Sequence, residues 1–459
     1  MSNPVIYHPA SWRDPSGFIF EKNGVLYRQV NKTYKDHLDH FIASGCYENL
    51  VKKNLLIPHE LISENLTELN EWYATLKPEK IAFISYPYEW SFDMLKDAAL
   101  LTLQLMKESI HYDMVLKDAT PYNIQWHHNK LIFIDTLSFE KFKEKPWIAY
   151  RQFCECFLSP LLLMHYTRLP MHEMMLAYPD GIPLAVTKAL LPKRSRFAMN
   201  IYLHIHLHEK FSVKKTGSSE KKIKFSKQKL LNLISSLEGL IRKLKLPAQK
   251  STWSEYYDEA SKRKNYLAEK MNIIKQWLQE MKEIKTAIDL GANIGEFSKL
   301  LSKKEIKTIA TDFDPYCINE LYLNIKEKKL TNIQPLIVDL SNPAPGTGMN
   351  NTERYSFISR GKADLVMALA LIHHLAIGKN IPFDMIAEMF SKIGPLLIIE
   401  FVPKEDEKVQ LMLQMREDIF TNYHETAFSE VFQKKFSIIK QAKIEESGRT
   451  LFLMKRIGE

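Results

Sequence analysis

A chain of 459 residues exceeds what one hydrophobic core ordinarily organises, so two domains are expected. With 45% hydrophobic and 25% charged residues it has the make-up of a soluble globular protein. Its four scattered cysteines, Cys46, Cys154, Cys156 and Cys317, exclude a disulfide scaffold or a four-ligand zinc site and fit a reducing cytoplasm. The net charge of +9 is concentrated in residues 210–250, where twelve Lys or Arg face only Glu220 and Glu238. The flanking halves are then near neutral, which argues against nucleic acid as a partner. No apolar run nears the roughly 18 residues of a membrane span, since the best one, 157–164, contains Ser159 and Pro160. The N-terminus carries no basic segment followed by an apolar one, so no secretory signal is expected.

In chain order, residues 17–21 and 25–30 alternate apolar and polar side chains around Asn23-Gly24, a pair suited to a tight hairpin because both tolerate positive φ. Residues 80–85 read as a further strand, 92–109 as a helix and 131–135 as a buried strand. Between the last two lies Asp118-Ala119-Thr120-Pro121-Tyr122-Asn123, and Asp135 closes the apolar run Phe133-Ile134. This spacing resembles the catalytic core of protein and small-molecule kinases. The resemblance implies that Asp118 orients an acceptor hydroxyl, while Asn123 and Asp135 bind Mg with ATP. The pattern is degenerate. No glycine-rich loop precedes Val25, and Arg28 is the one substitute for the nucleotide-binding lysine. Leu116-Lys117 stand in place of His-Arg, and Thr136-Leu137 in place of Phe-Gly. The expectation for residues 1–208 is an α+β, kinase-like domain that binds substrate or partner, with a bifunctional kinase–methyltransferase as the alternative.

His204, His206 and His208 alternate, so on a strand they would share one face and offer a metal site, although no acidic or Cys ligand completes it; the competing reading is the start of a linker. Cys154 and Cys156 lie in an apolar helical stretch and read as buried packing. Residues 209–250 form a basic connector, ending in an amphipathic helix with Leu230, Leu233, Ile234, Leu237, Leu240, Ile241 and Leu244 on one face. Such a helix packs between domains or, over 229–246, lies on a membrane surface.

From residue 251 the pattern changes to short apolar runs alternating with helical segments: 286–290, 308–312, 334–338, 364–369 and 396–401. That alternation predicts a parallel sheet. Residues 436–443 and 450–456 are separated too briefly for a crossover helix and are expected to pair antiparallel. The first run leads into Asp289-Leu290-Gly291-Ala292-Asn293-Ile294-Gly295, where glycine allows a sharp turn and close approach of a ligand. Asn293 and Glu296 stand where a dinucleotide loop has glycines, and the acidic setting suits a cationic sulfonium better than a pyrophosphate. The second run ends in Asp312, with Asp314 beyond it, and the third in Asp339. Carboxylates there can accept ribose hydroxyls and an adenine amino group.

These residues resemble the class I S-adenosylmethionine-dependent methyltransferases over 253–457. The resemblance implies an α/β fold with a Rossmann-like seven-stranded sheet over 251–459. It also implies that Asp289, Gly291, Asn293, Gly295, Asp312, Asp339 and Ala368 bind the cofactor. The Asn/Asp-Pro-Pro-aromatic motif of enzymes that methylate exocyclic base nitrogens or glutamine amides is absent after Ala368. The whole layout is similar to long bacterial methyltransferases sometimes labelled nodulation-related. His373 and His374 follow the fourth strand and are the candidate catalytic residues, as base or as acceptor-orienting groups. Glu400, Tyr423 and His424 are weaker candidates, and Trp253, Tyr256 and Tyr257 could fold over a sulfonium. Residues 341–362 form a long loop whose Arg354 and Arg360 would serve an acceptor-binding lid. The expected activity is methyl transfer to an O or N of a small-molecule or glycan-type acceptor; a non-catalytic cofactor-binding regulator is the other alternative.

Overall fold

The computed structural model describes residues 4–207, 224–246, 264–281, 283–414, 416–445 and 447–458. The chain divides into two compact units, Met1–Pro247 with Gly348–Arg354, and Ala248–Thr347 with Tyr355–Glu459.

The first unit opens with a five-stranded antiparallel sheet of β1 (Ile6–Tyr7), β2 (Gly17–Lys22), β3 (Val25–Asn31), β4 (His59–Ile62) and β5 (Trp72–Pro78), in the order β1-β2-β3-β5-β4. Asn23 and Gly24 both take positive φ, 56° and 74°, which closes the expected hairpin directly from Lys22 to Val25. Residues 80–85 are not a strand. The strand precedes them as β5, and the backbone N–H and C=O of Ser85 bond to the side-chain amide of Gln125 (2.9 and 3.0 Å) instead of to a neighbouring strand. Helix Phe92–Ile110 follows, then two short antiparallel pairs: β6 (Met114–Leu116) with β9 (Phe139–Lys141), and β7 (Ile124–His127) with β8 (Lys130–Phe133).

The basic amphipathic segment is helix Lys227–Lys243, whose Leu230, Ile234, Leu237, Leu240 and Ile241 are buried. It packs along helix Phe92–Ile110, with Lys107 paired to Glu238 and Lys96 donating to the Leu244 carbonyl. This packing buries its apolar face within the first unit. Among the described residues no helix is long and apolar enough to cross one. Residues 202–207 are helical, which overturns the shared face expected of the alternating histidines. His204 bonds to Tyr150 and Ser236 and His206 to Ser195, while His208 lies outside the described residues. Cys154 and Cys156 are buried in a helical turn, as their apolar context implied.

The second unit is built on a seven-stranded sheet: β10 (Thr286–Leu290), β11 (Lys307–Asp312), β12 (Ile333–Ile337), β13 (Leu365–Ala368), β14 (Leu396–Phe401), β15 (Phe436–Lys443) and β16 (Thr450–Arg456). The order is β12-β11-β10-β13-β14-β16-β15, with β10 to β14 parallel and β16 antiparallel to both β14 and β15. Every residue of β13, Leu365–Ala368, is apolar and buried, as a central parallel strand requires. The strand order reverses between β10 and β13, so their C-terminal ends open a crevice in which such sheets bind ligands. Helix Lys264–Glu280 buries Ile274, Trp277 and Leu278 in one cluster with Leu365, Met367, Ile398 and Leu453 of the sheet.

Candidate active site

The glycine loop leaves β10 and is tied at once to the next strand. The N–H groups of Gly291 and Ala292 both donate to the Thr311 carbonyl at 2.8 Å. Asn293 donates its N–H to Asp312 Oδ2 at 2.8 Å, and Asp314 donates its own to Oδ1 at 2.9 Å. The Phe313 backbone is a third hydrogen-bond donor to the same carboxylate. Asp314 is used otherwise: it caps helix Pro315–Lys328 by accepting from the N–H of Tyr316.

These groups border a cavity of about 300 Å³ at the C-terminal end of the sheet. Asp289, Gly291, Asn293, Asp312 and Asp339 all line it, joined by Phe313, Val338, Leu340 and Leu371 as an apolar wall. Burial pushes the carboxyls of Asp289 and Asp312 up to about 6, against hydrogen bonds that pull the other way. Asp289 accepts from the Ser298 hydroxyl at 2.6 Å. Asp339 is half exposed, accepts from the N–H and hydroxyl of Ser341, and has Lys379 Nζ 3.9 Å from its other oxygen.

Three expected site residues fall outside the lining. Gly295 heads helix Glu296–Ser302 with φ 79°, and a Cβ there would meet Leu321 Cδ1 at 2.6 Å. It is a packing glycine, required for the close approach of Leu321 on helix Pro315–Lys328. Ala368 is fully buried within β13, and the lining begins one residue later at Leu369. Ala370, next along, takes φ 51°, an unfavourable conformation for alanine at the cavity edge. Of the two histidines, His374 lines the cavity while His373 lies behind it, 2% exposed and with Nδ1 lacking a hydrogen bond among the described residues. Burial lowers both imidazoles, His374 to about 4 with further help from Arg449, so both are neutral at pH 7.

Sequence reasoning missed Tyr266 and Lys270, which reach the cavity from helix Lys264–Glu280. Lys270 Nζ donates to Glu400 Oε2 at 2.5 Å, the Tyr266 hydroxyl donates to Glu400 Oε1 at 2.5 Å, and Arg449 donates to the same hydroxyl at 2.7 Å. Arg449 also pairs with Asp406 at 2.9 Å. Lys270 and Arg449 hold the Glu400 carboxyl down at about 2 although it is fully buried. The signal was a lysine four residues after a tyrosine on the apolar face of a helix. Glu400 is therefore the centre of an ion network. Tyr423 donates its hydroxyl to the Val402 carbonyl, and His424 caps helix Glu425–Phe432. Trp253, Tyr256 and Tyr257 lie outside the described residues.

Gly378 and Lys379 also border an open depression lined by Asn380, Arg416, Glu417, Ile419 and Phe420. The expected lid arginines are elsewhere. Arg354 belongs to the first unit, its guanidinium 4.3 Å from the centre of the Tyr122 ring. Arg360 donates to the Tyr355 carbonyl.

In the first unit the kinase-like residues are engaged with one another. Ser138 bridges them, accepting from the Asn123 amide at 3.1 Å and donating to Asp135. The other oxygen of Asp135 is ion-paired with Arg28. Asp118 accepts from Gln152 at 2.7 Å, and burial next to Asp135 raises its pKa. The Arg28 guanidinium thus neutralises the Asp135 carboxylate directly.

No family model matches the chain. Among solved structures it is similar to the N-methyltransferase NodS from Bradyrhizobium japonicum WM9, at 12% identity and TM-score 0.32, over 42% of this chain and 97% of that one. It is also similar to magnesium protoporphyrin IX methyltransferase (ChlM) from Synechocystis PCC 6803 with bound SAH, at 15% identity and TM-score 0.32, over 46% of this chain and 89% of that one. Likeness at that level fixes neither substrate nor chemistry. The chain is 33% identical to the nodulation protein NoeA of Rhizobium meliloti (strain 1021), in an alignment of 458 residues covering 97% of this chain and 95% of that protein. A third of the positions shared along nearly all of both chains makes this protein a member of the NoeA family.

Proposed function

We propose that the second unit binds S-adenosylmethionine and transfers its methyl group to an oxygen or nitrogen of a small-molecule or glycan-type acceptor. One observation carries this reading: carboxylates at the ends of three consecutive strands, Asp289, Asp312 and Asp339, line a single cavity together with Gly291. Asp312 would accept a ribose hydroxyl, and Asp339 would accept an adenine amino group. Gly291 keeps the loop backbone open, since a Cβ there would stand 3.2 Å from Leu371. Two buried carboxyls favour a cation over a phosphate. When bound, the cofactor supplies an electrophilic methyl on sulfur, and the protein's task is alignment and exclusion of water.

His374 is the group suited to the acceptor. A neutral imidazole at the cavity wall can accept a hydrogen bond from a hydroxyl or amine and orient its lone pair. The depression around Lys379, Arg416 and Phe420 is open and combines charged side chains with an aromatic one, which suits a sugar-like acceptor. The first unit is read as a substrate- or partner-binding domain, because the Arg28–Asp135 pair opposes metal binding at Asp135.

The test is methyl transfer from labelled S-adenosylmethionine to a panel of oligosaccharides and amines, by wild type and His374→Ala. The reading requires acceptor-dependent release of S-adenosylhomocysteine that falls at least about 100-fold in the variant. Cofactor binding with no acceptor turned over would favour a regulator.

A further inference from the structure

Away from the cofactor cavity, the described residues bring one set of metal-ligating side chains together, in the first unit. Glu79 follows β5 directly, and its Oε1 lies 3.0 Å from His127 Nε2 and 3.0 Å from His128 Nε2. One ligand atom from each residue falls within 4.8 Å of the others.

Consecutive residues of a strand point to opposite faces, so two adjacent histidines do not ordinarily share a target. The turn removes that obstacle. β7 ends at His127, which pairs with Lys130, and the two residues between them, His128 and Asn129, take φ of 45° and 64°. The left-handed backbone at His128 swings its ring to within 4.0 Å of the His127 ring, centroid to centroid. His127 is 10% exposed and held in the hairpin, whereas His128 is 71% exposed and can turn to meet an ion.

Two imidazole nitrogens and one carboxylate oxygen are a ligand set that zinc takes with a further position open, while magnesium and calcium prefer oxygen alone. Zinc needs each ligand at about 2.0–2.2 Å, so the exposed His128 ring and the half-exposed Glu79 have to adjust around the ion. We propose that Glu79, His127 and His128 form a zinc site that clasps the segment leaving the five-stranded sheet to the β7–β8 hairpin. Such an ion would stabilise the first unit by binding only its folded form.

The experiment is a calorimetric titration of the full chain, free of any histidine tag, with zinc chloride, alongside thermal melts with and without zinc. His128→Asn removes one ligand while keeping a residue that tolerates positive φ. Glu79→Gln removes a second at the surface, so both variants are expected to fold. Wild type should bind one zinc per chain in the micromolar range and melt higher with it. Each variant should bind at least tenfold more weakly and lose the shift in melting. Zinc binding that both variants retain, or none tighter than millimolar in wild type, overturns the site.

Discussion

The carboxylate of Asp312 accepts the backbone N–H of Asn293 at 2.8 Å, which joins the end of the second strand to the middle of the glycine loop. One side chain therefore both shapes the loop and lines the cavity.

Asp312 and Asp289 are raised by burial to about 6 from an ordinary value of 3.8. A carboxyl raised in the folded state adds stability that is fully present below pH 3.8 and is lost as pH rises through about 6. Cofactor affinity runs the opposite way, because the ionised form accepts hydroxyls and attracts a sulfonium. Titrations at pH 5, 6 and 7.5 should show S-adenosylmethionine binding strengthening about tenfold or more over that range. In Asp312→Asn the dependence should flatten.

The two loop glycines should separate under substitution. Gly295→Ala forces φ 79° on a side chain whose Cβ would clash with Leu321, outside the cavity lining. Urea unfolding should register a loss of about 1–3 kcal/mol, with the affinity of the folded fraction little changed. Gly291→Ala places a methyl 3.2 Å from Leu371 at the cavity wall and should lower affinity as well as stability.

Glu400 is 0% exposed between Lys270, Tyr266 and Arg449. Glu400→Gln leaves two cations under-compensated and should cost about 3–5 kcal/mol in denaturant unfolding at pH 7. With the wild-type carboxyl held at about 2 against 4.5 ordinarily, its contribution is present above pH 4.5 and lost as pH falls towards 2. The stability difference between the two proteins should therefore shrink in acid.

His373 and His374 are adjacent but differently placed, so their alanine variants should fail differently. His374→Ala should lower turnover and leave cofactor affinity within about threefold, as expected for a group facing the acceptor. His373→Ala opens a hole in a buried site and should lower the melting temperature.

Much of the second unit was legible because its central strands are short, largely apolar runs alternating with helical segments. Thr286–Leu290 and Leu396–Phe401 coincide with their expected bounds, and Asp312 ends β11 as its position implied. The first unit was harder because distant partners decide its local structure. Ser85 sits in the apolar stretch 80–85, yet its backbone bonds go to Gln125, forty residues on. His204 and His206 alternate, but the segment is helical and each ring has a hydroxyl partner of its own. Gly295 and Ala368 match a motif in sequence while serving packing in space. Tyr266 and Lys270 belong to no motif and reach the cavity only because helix Lys264–Glu280 crosses the sheet there.

The central claim is tested most directly by calorimetric titration of S-adenosylmethionine into wild type and Asp312→Asn, with thermal melts to verify that the variant is folded. The account predicts micromolar binding by wild type at pH 7.5, and at least about tenfold weaker binding by a folded Asp312→Asn. Equal affinity in the two proteins, or no binding by wild type, would contradict it.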